Sequence, residues 1–254
     1  MYRNLFDSHA HYNDQRFDED RHALLGSLPG QGIIGVINPA TDVESSRQCI
    51  ALVRQYPFIY SAVGVHPHEA GQAPPDYIAR LQTLAQSPKV CAIGEIGLDY
   101  HYDFSPREVQ RRVFEQQLQL AAQLNLPVII HDREAHSDTL ELLQRYRPTG
   151  VMHCFTGSAE MARQVVKLGL YVGFTGVVTF NNARKPLEAV AVVPPERLLI
   201  ETDCPYMAPV PHRGQRCDST MLPLTAQAMA AAKGMEVQAL LDLTAQNAKT
   251  LFGI

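Results

Sequence analysis

Eight short apolar runs recur along the chain, at 5–9, 33–38, 59–65, 90–94, 128–131, 150–153, 170–175 and 198–201. Each is rich in Val, Ile and Leu, the pattern of strands buried on both faces of a parallel sheet. Amphipathic stretches separate them, so the chain reads as repeated βα units. Ser105-Pro106-Arg107-Glu108 predicts a helix start, with Ser as cap, Pro at the first position and Glu reaching back. The run that follows, 109–124, carries Val113, Phe114, Leu118, Ala121 and Ala122 near helical spacing and stops before Asn125-Leu126-Pro127. A helix over 158–168 ends at Gly169, and one including 190–193 ends at Pro194-Pro195. Helices over 220–233 and 236–251 are predicted to complete the outer layer, and the proline-rich stretch 205–223 predicts a long loop after strand eight.

The 254 residues divided among eight units give about 32 residues each, within the range of a (β/α)8 TIM barrel. Length alone also allows two domains of ~125 residues. No linker, charge block or close repeat divides the chain, so the expected fold is α/β, a single (β/α)8 barrel occupying 1–254 as one domain.

Hydrophobic residues at 46% and charged residues at 19% exclude a disordered chain. The net charge of −4 argues against the broad basic surface of a nucleic-acid coat protein, and leaves room for a local basic patch. Five cysteines (Cys49, Cys91, Cys154, Cys204, Cys217) at irregular spacing, with no C-x-x-C pair, predict no disulfide framework and a reducing compartment. The N-terminal residues lack the pattern of a signal peptide, and no stretch approaches ~18 consecutive apolar residues. A cytoplasmic protein with no membrane contact is expected. No apolar stripe stands out, so a monomer with no obligate protein partner is the expectation.

In parallel barrels, chemistry gathers where strands end. Five of the ten histidines fall there: His9 and His11 at strand one, His66 at strand three, His131 at strand five and His153 at strand six. Glu95 and Asp99 end or follow strand four, and Asp203 ends strand eight. Residues two apart in an extended strand point the same way, so His9 and His11 can reach one ion. Glu95 lies in an apolar run, where a carboxylate is costly to bury without a partner; the alternatives are a metal ion, which it could share with a second, or an arginine. His131 and His153, each singly readable as a core histidine, join Glu95 as a second ligand set. That set suits Zn, Mn, Co or Ni, with Mg more unusual among so many nitrogens. Asp203 can bind metal and take a proton from the attacking water, or merely cap a turn before Pro205. Glu201 reads as a neighbour supporting the ligands. His66 can donate to a phosphate oxygen, and His68 reads as structural. Arg133, His212, Arg213 and Arg216 lie on loops of the same face and suit phosphate contact or solvent, Arg213 best placed. Tyr100, Tyr102 and Phe104, after strand four, could stack on an end base or pack within their loop. There is no Walker loop, dinucleotide fingerprint or G-x-S-x-G elbow.

Six motifs carry a resemblance: Asp7-Ser8-His9-Ala10-His11, Gly64-Val65-His66-Pro67-His68, Gly94-Glu95-Ile96-Gly97-Leu98-Asp99-Tyr100, Pro127-Val128-Ile129-Ile130-His131-Asp132-Arg133, His153-Cys154-Phe155-Thr156-Gly157 and Glu201-Thr202-Asp203-Cys204-Pro205-Tyr206. In order, and over essentially the whole chain, the sequence resembles the TatD family of metal-dependent hydrolases. The resemblance implies a distorted TIM barrel of the amidohydrolase-like superfamily and a divalent-metal-dependent deoxyribonuclease, often a 3′→5′ exonuclease. It implies metal ligands at His9, His11, Glu95, His131, His153 and Asp203, and a place near the substrate phosphate for His66. Two departures stand out. Ala10 replaces a common Cys, on a side chain expected to point away from the ions. Cys217-Asp218-Ser219 replaces Asn-Glu-Pro in a loop that borders the family's substrate site.

The expected reaction is phosphodiester hydrolysis by a two-metal activated water. Glu95, Asp203 and His66 are the catalytic residues, and His66, Arg133 and Arg213 the substrate contacts. Two divalent ions (Mg, Mn or Zn) are the expected cofactors, and DNA with single-stranded ends the expected substrate. The rivals are an ester or amide hydrolase on the same site, such as an aminoacyl-tRNA deacylase, and a non-catalytic metal-binding protein.

Overall fold

The computed structural model describes residues 2–254. All eight strands form: β1 (Leu5–Asp7), β2 (Ile33–Pro39), β3 (Ile59–Val63), β4 (Val90–Asp99), β5 (Val128–Arg133), β6 (Gly150–Met152), β7 (Tyr171–Phe174) and β8 (Leu198–Ile200). They pair in chain order, every pair parallel. Helices alternate with them: α1 (Arg21–Ser27), α2 (Val43–Gln55), α3 (Tyr77–Leu84), α4 (Arg107–Leu124), α5 (His136–Tyr146), α6 (Ala159–Lys167), α7 (Arg184–Val192), α8 (Leu222–Lys233) and α9 (Val237–Phe252).

Alternate strand residues divide into two sets, as the pleat requires. Phe6, Ile37, Ala92, Ile129, Val151 and Leu199 fill the barrel interior as one cluster. Their neighbours Leu5, Val36, Ile93, Ile130, Met152 and Leu198 belong to a larger cluster with the inward faces of the helices. Both faces are therefore apolar, which is why the strands read as unbroken runs.

The seam between β8 and β1 is the distorted part. Both strands have only three residues, and they meet mainly past their ends. Ser8 N donates to Ile200 O (3.2 Å), Asp203 N to His9 O (2.9 Å) and His11 N to Cys204 O (2.7 Å). α9 packs along this seam. Its Leu251 and Phe252 join the interior cluster, a burial that contributes roughly 1.5–3 kcal/mol per side chain. Asn247 Nδ2 donates to the carbonyls of Pro195 and Leu198, at 2.8 Å each.

β4 is longer than its apolar run because it carries a bulge. Ile93 pairs with Val128 but Ile96 with Ile130, so three steps on β4 match two on β5. A bulge re-aims side chains at that point, and Gly94-Glu95 occupies it. Helix boundaries depart from expectation where tertiary partners compete. Ser105 does not cap α4: its hydroxyl donates to His68 O (2.9 Å) and accepts from Gly71 N (2.8 Å). Ser158 does cap α6, accepting from Met161 N at 3.2 Å. α7 begins at Arg184, well before its apolar signal, and α8 begins at Leu222 after a single 3₁₀ turn (Ser219–Met221), so the loop after β8 ends before Pro223. Pro223 stands in the first turn of α8, where its missing N–H is not needed. All five cysteines are free. Among the described residues no helix is long and apolar enough to cross a membrane.

Candidate metal centre

Glu95 lies at the middle of the strand-end residues, and all five histidines expected at strand ends come to it. His153 Nε2 is 2.7 Å from Glu95 Oε1, His131 Nδ1 2.9 Å and His66 Nε2 3.5 Å. His9 Nε2 and His11 Nε2 are 3.3 and 3.5 Å from Glu95 Oε2. Asp203 Oδ1 reaches the same two nitrogens at 3.8 and 3.5 Å. Each of three groups keeps its ligand atoms within 4.8 Å: His9–Glu95–His153, His9–His11–Asp203 and His66–Glu95–His131. His131 Nδ1 and His153 Nε2 lie 3.4 Å apart.

These side chains suit cations. Nitrogen and oxygen atoms bound ~2.0–2.2 Å from one ion sit roughly 3–3.5 Å from each other, close to the spacing found around Glu95 and Asp203. His11 Nδ1 donates to the Pro39 carbonyl (3.2 Å), which leaves Nε2 with its lone pair facing the centre. A second hydrogen bond that fixes the tautomer is how ligating imidazoles are oriented. His153 stacks on His9, with centroids 3.9 Å apart and planes 10° from parallel. Its Nδ1 is 3.6 Å from Glu201 Oε1. Glu201 in turn accepts from Cys154 N and Ser8 Oγ. Gly173 makes room for that carboxylate, since a Cβ there would meet Glu201 Oε2 at 2.5 Å.

The centre concentrates negative charge where water is scarce. Burial favours the protonated Glu95 carboxyl, but His153, His66 and His9 outweigh it and hold the group well below the usual range. Burial likewise opposes charge on Asp203, yet its hydrogen bond with His11 and the nearby imidazoles keep it low. The imidazoles divide. Burial pushes His9 down, helped by His153, and takes His66 down to about 4, with His131 adding to the effect. In His153 burial is outweighed by Glu95 and Glu201, which raise it well above its ordinary value. In His131 burial is outweighed by Asp99 and Glu95, and in His11 by Asp203 and Glu95, so both are raised. Protons on these rings neutralise the carboxylates, and cations taking that place would displace them.

Asp99 has a role that its position alone did not assign. Its Oδ2 accepts from His68 Nε2 (2.8 Å) and His131 Nε2 (3.1 Å), while Oδ1 accepts from the amides of His101 and Tyr102. The signal was present: Glu95, Gly97 and Asp99 are spaced by two along β4. Asp7 was also passed over. It is fully buried and accepts from His9 N, Thr202 N, Thr202 Oγ1 and Ser219 Oγ. Burial pushes its carboxyl up to about 7 despite those donors. Ser219, in the loop that departs from the family pattern, thus ties to Asp7 and accepts from Tyr12 Oη at 2.7 Å. Ala10 is buried in the apolar core.

The arginines separate. Arg216 is engaged with Asp20 at 2.5 and 2.7 Å, so it serves the fold. His212 contacts Gln215. Arg213 lies over the Phe180 ring, 3.8 Å from its centroid, and Arg133 over the Tyr102 ring at 4.6 Å.

A parallel eight-stranded barrel with histidines and carboxylates converging at its rim defines a metal-dependent hydrolase of the TIM-barrel class. Residues 6–253 match the TatD related DNase family, and the chain belongs to it. It is 40% identical to the metal-dependent hydrolase YabD of Bacillus subtilis over 253 residues, covering 98% of this chain and 99% of that one. It is 36% identical over 258 residues to the 3′-5′ ssDNA/RNA exonuclease TatD of Salmonella typhimurium, covering 98% and 99%. The crystal structure of YjjV, a TatD homologue of Escherichia coli, superposes with a TM-score of 0.94 at 30% identity over the whole of both chains.

Proposed function

We propose that this hydrolase cleaves DNA phosphodiester bonds with two divalent cations, removing nucleotides from single-stranded 3′ ends. The observation that carries the reading is the position of Glu95, whose two oxygens face different imidazole sets. His9, His11, Glu95 and Asp203 would hold one cation, and Glu95, His131 and His153 the other. When bound, such ions stabilise charge on phosphoryl oxygens and make a hydroxide available at neutral pH. The nitrogen-rich set suits Mn or Zn, with Mg the third candidate.

The Asp203 carboxylate takes the proton of the attacking water. It faces the site because the chain turns through a left-handed conformation there, with φ of 57°. His66 Nδ1 accepts from His68 N (3.2 Å), so the neutral ring keeps its proton on Nε2. That makes His66 Nε2 a donor to a phosphoryl oxygen rather than a ligand. With its pKa pushed down to about 4 by burial, the ring stays neutral at working pH. Arg133 and Arg213, held over aromatic rings, contact the phosphates of the strand. A chain of net charge −4 can bind DNA this way because an exonuclease holds few phosphates. The polarity of cleavage is supported by the Salmonella relative. Residues 1–254 act as one catalytic domain, as a monomer, in the cytoplasm, where free cysteines stay reduced.

The test strips the protein with chelator and restores Mg, Mn or Zn separately. Cleavage of end-labelled single-stranded DNA is followed beside a duplex and an RNA. Shortening from the 3′ end, restored by metal and absent in His131→Ala, is the expected result. A protein that binds metal yet cuts no strand under any ion would move the assignment to an ester or amide hydrolase.

A further inference from the structure

Tyr100, Tyr102 and Phe104 follow β4 together, and the structure separates them. Tyr100 is a packing residue: half-buried, it donates to Asp138 and lies under the Arg107 guanidinium. Tyr102 and Phe104 keep 47% and 68% of their surface exposed. Large apolar rings left open side by side form a surface with a use rather than scattered exposure. The two rings stack on each other, centroids 5.3 Å apart and planes 21° from parallel.

Their position is set by the candidate metal centre itself. Asp99, whose Oδ2 meets His131, uses Oδ1 to accept the amide N–H of Tyr102 at 2.9 Å. Both rings stand edge-on to His68, at 4.8 Å for Phe104 and 5.4 Å for Tyr102. His68 donates to the same Asp99 carboxylate at 2.8 Å. Ser105, tied to His68 O and Gly71 N, pins the far end of the loop. The ring pair is thus one imidazole away from His131 and anchored by a shared carboxylate. The Arg133 guanidinium lies over Tyr102, so a cation accompanies the rings.

We propose that Tyr102 and Phe104 form a stacking platform for the unpaired terminal nucleobase of the strand being cleaved, with Arg133 holding the adjoining phosphate. The inference rests on the nuclease reading and sharpens it to a substrate feature: an end base free to leave its helix. Stacking uses the π face that every base has, so the platform tolerates any sequence and ignores the sugar's 2′ position. A base belongs here more than a protein side chain does, because the rings border a phosphate-suited centre and a guanidinium lies over Tyr102.

The experiment compares two single strands, one ordinary and one ending in a tetrahydrofuran residue that lacks the last base. Both are given to wild type, Phe104→Ala, Tyr102→Ala and Phe104→Trp in the best metal. Removing the base should raise the wild-type KM about 5- to 150-fold, the range for losing one stacked base, with a smaller change in kcat. Phe104→Ala should bind the two strands alike, and Phe104→Trp should restore the difference. A second readout needs no turnover: 2-aminopurine at the 3′ end should be quenched on binding to chelated wild type and not by Phe104→Ala. If Phe104→Ala loses as much on the base-free strand as on the ordinary one, or bound strand is not quenched, the platform is refuted. Quenching without cleavage under any metal would sink the nuclease reading and keep the platform. Cleavage with no discrimination for the base would do the reverse, and a wild type that neither binds nor cuts would overturn both. Melting temperatures of the variants, at residues this exposed, should match wild type.

Discussion

On the β1–β8 side of the centre, His9 and His11 are held by main chain and by a buried hydroxyl network. His11 Nδ1 is fixed on Pro39 O, the His9 amide on Asp7, and Asp7 on Thr202 and Ser219. The His9 side chain is fully buried. On the β4–β5 side, His131 hangs between two carboxylates, Glu95 and Asp99, and its side chain keeps 17% of its exposure. One half has its orientation built in by groups that do not titrate near neutrality, apart from Asp7 beneath it. The other depends on charges that protons and cations compete for. Preorganisation and exchangeability are thus assigned to opposite walls of a single site, with Glu95 common to both.

The largest effect should come from that shared residue. Glu95→Gln keeps the shape and removes the charge facing five imidazoles. Activity should fall by more than about 1,000-fold, beyond the loss of one stabilising donor, and metal analysis should find both cations gone. Retention of either one would mean that the halves stand independently.

Next come the two supporting carboxylates, which should fail differently. Asp99→Asn should weaken binding of one of two cations by about 10- to 100-fold, with little change in melting. Asp7→Ala leaves four buried donors without their acceptor and should cost about 3 kcal/mol, read by denaturant unfolding. Matching outcomes for the two variants would erase the contrast between the walls.

The smallest effect is in pH. In the chelated protein, His11, His131 and His153 have folded pKa values raised above 6.5. Their stabilisation is complete below the unfolded value and is lost as pH rises through the folded ones. His66, shifted down to about 4, titrates below that window. In the metal-loaded protein the same nitrogens must be unprotonated, so cation binding and stability gain with pH. Melting temperature followed from about pH 6.5 upward should fall in chelator and rise with Mn. Parallel slopes in the two conditions would show that these protons are not what the cations replace.

The barrel was legible because burial on both strand faces leaves apolar runs, and because most of the ligand-type residues interrupt such runs at or near strand ends. His9, His11, His66, His131, His153 and Asp203 were readable on that ground, and Glu95 by being a carboxylate among Ile and Gly. What could not be read was set by distant partners. Ser105 looks like a helix cap until His68 and Gly71 take its hydroxyl. Arg216 looks like a phosphate contact until Asp20 takes its guanidinium. The inward aim of Glu95 comes from a one-residue bulge against β5, which no run of residues on β4 announces. The start of α7 at Arg184 was hidden because it opens on Arg184-Lys185-Pro186, two charges and a proline rather than an apolar run.

The seam between β1 and β8 has a consequence for how the protein is made. Ser8 and Ile200, joined across it, are 192 positions apart in the chain. His9 and His11 are synthesised well before Asp203, which follows 192 positions after His11. A nascent chain that stops short of Asp203 therefore carries His9, His11, Glu95, His131 and His153 without the closed barrel that brings them together. Loop closure over such a separation comes late in folding, so the converged histidines and carboxylates are complete only once β8 and α9 have packed against β1.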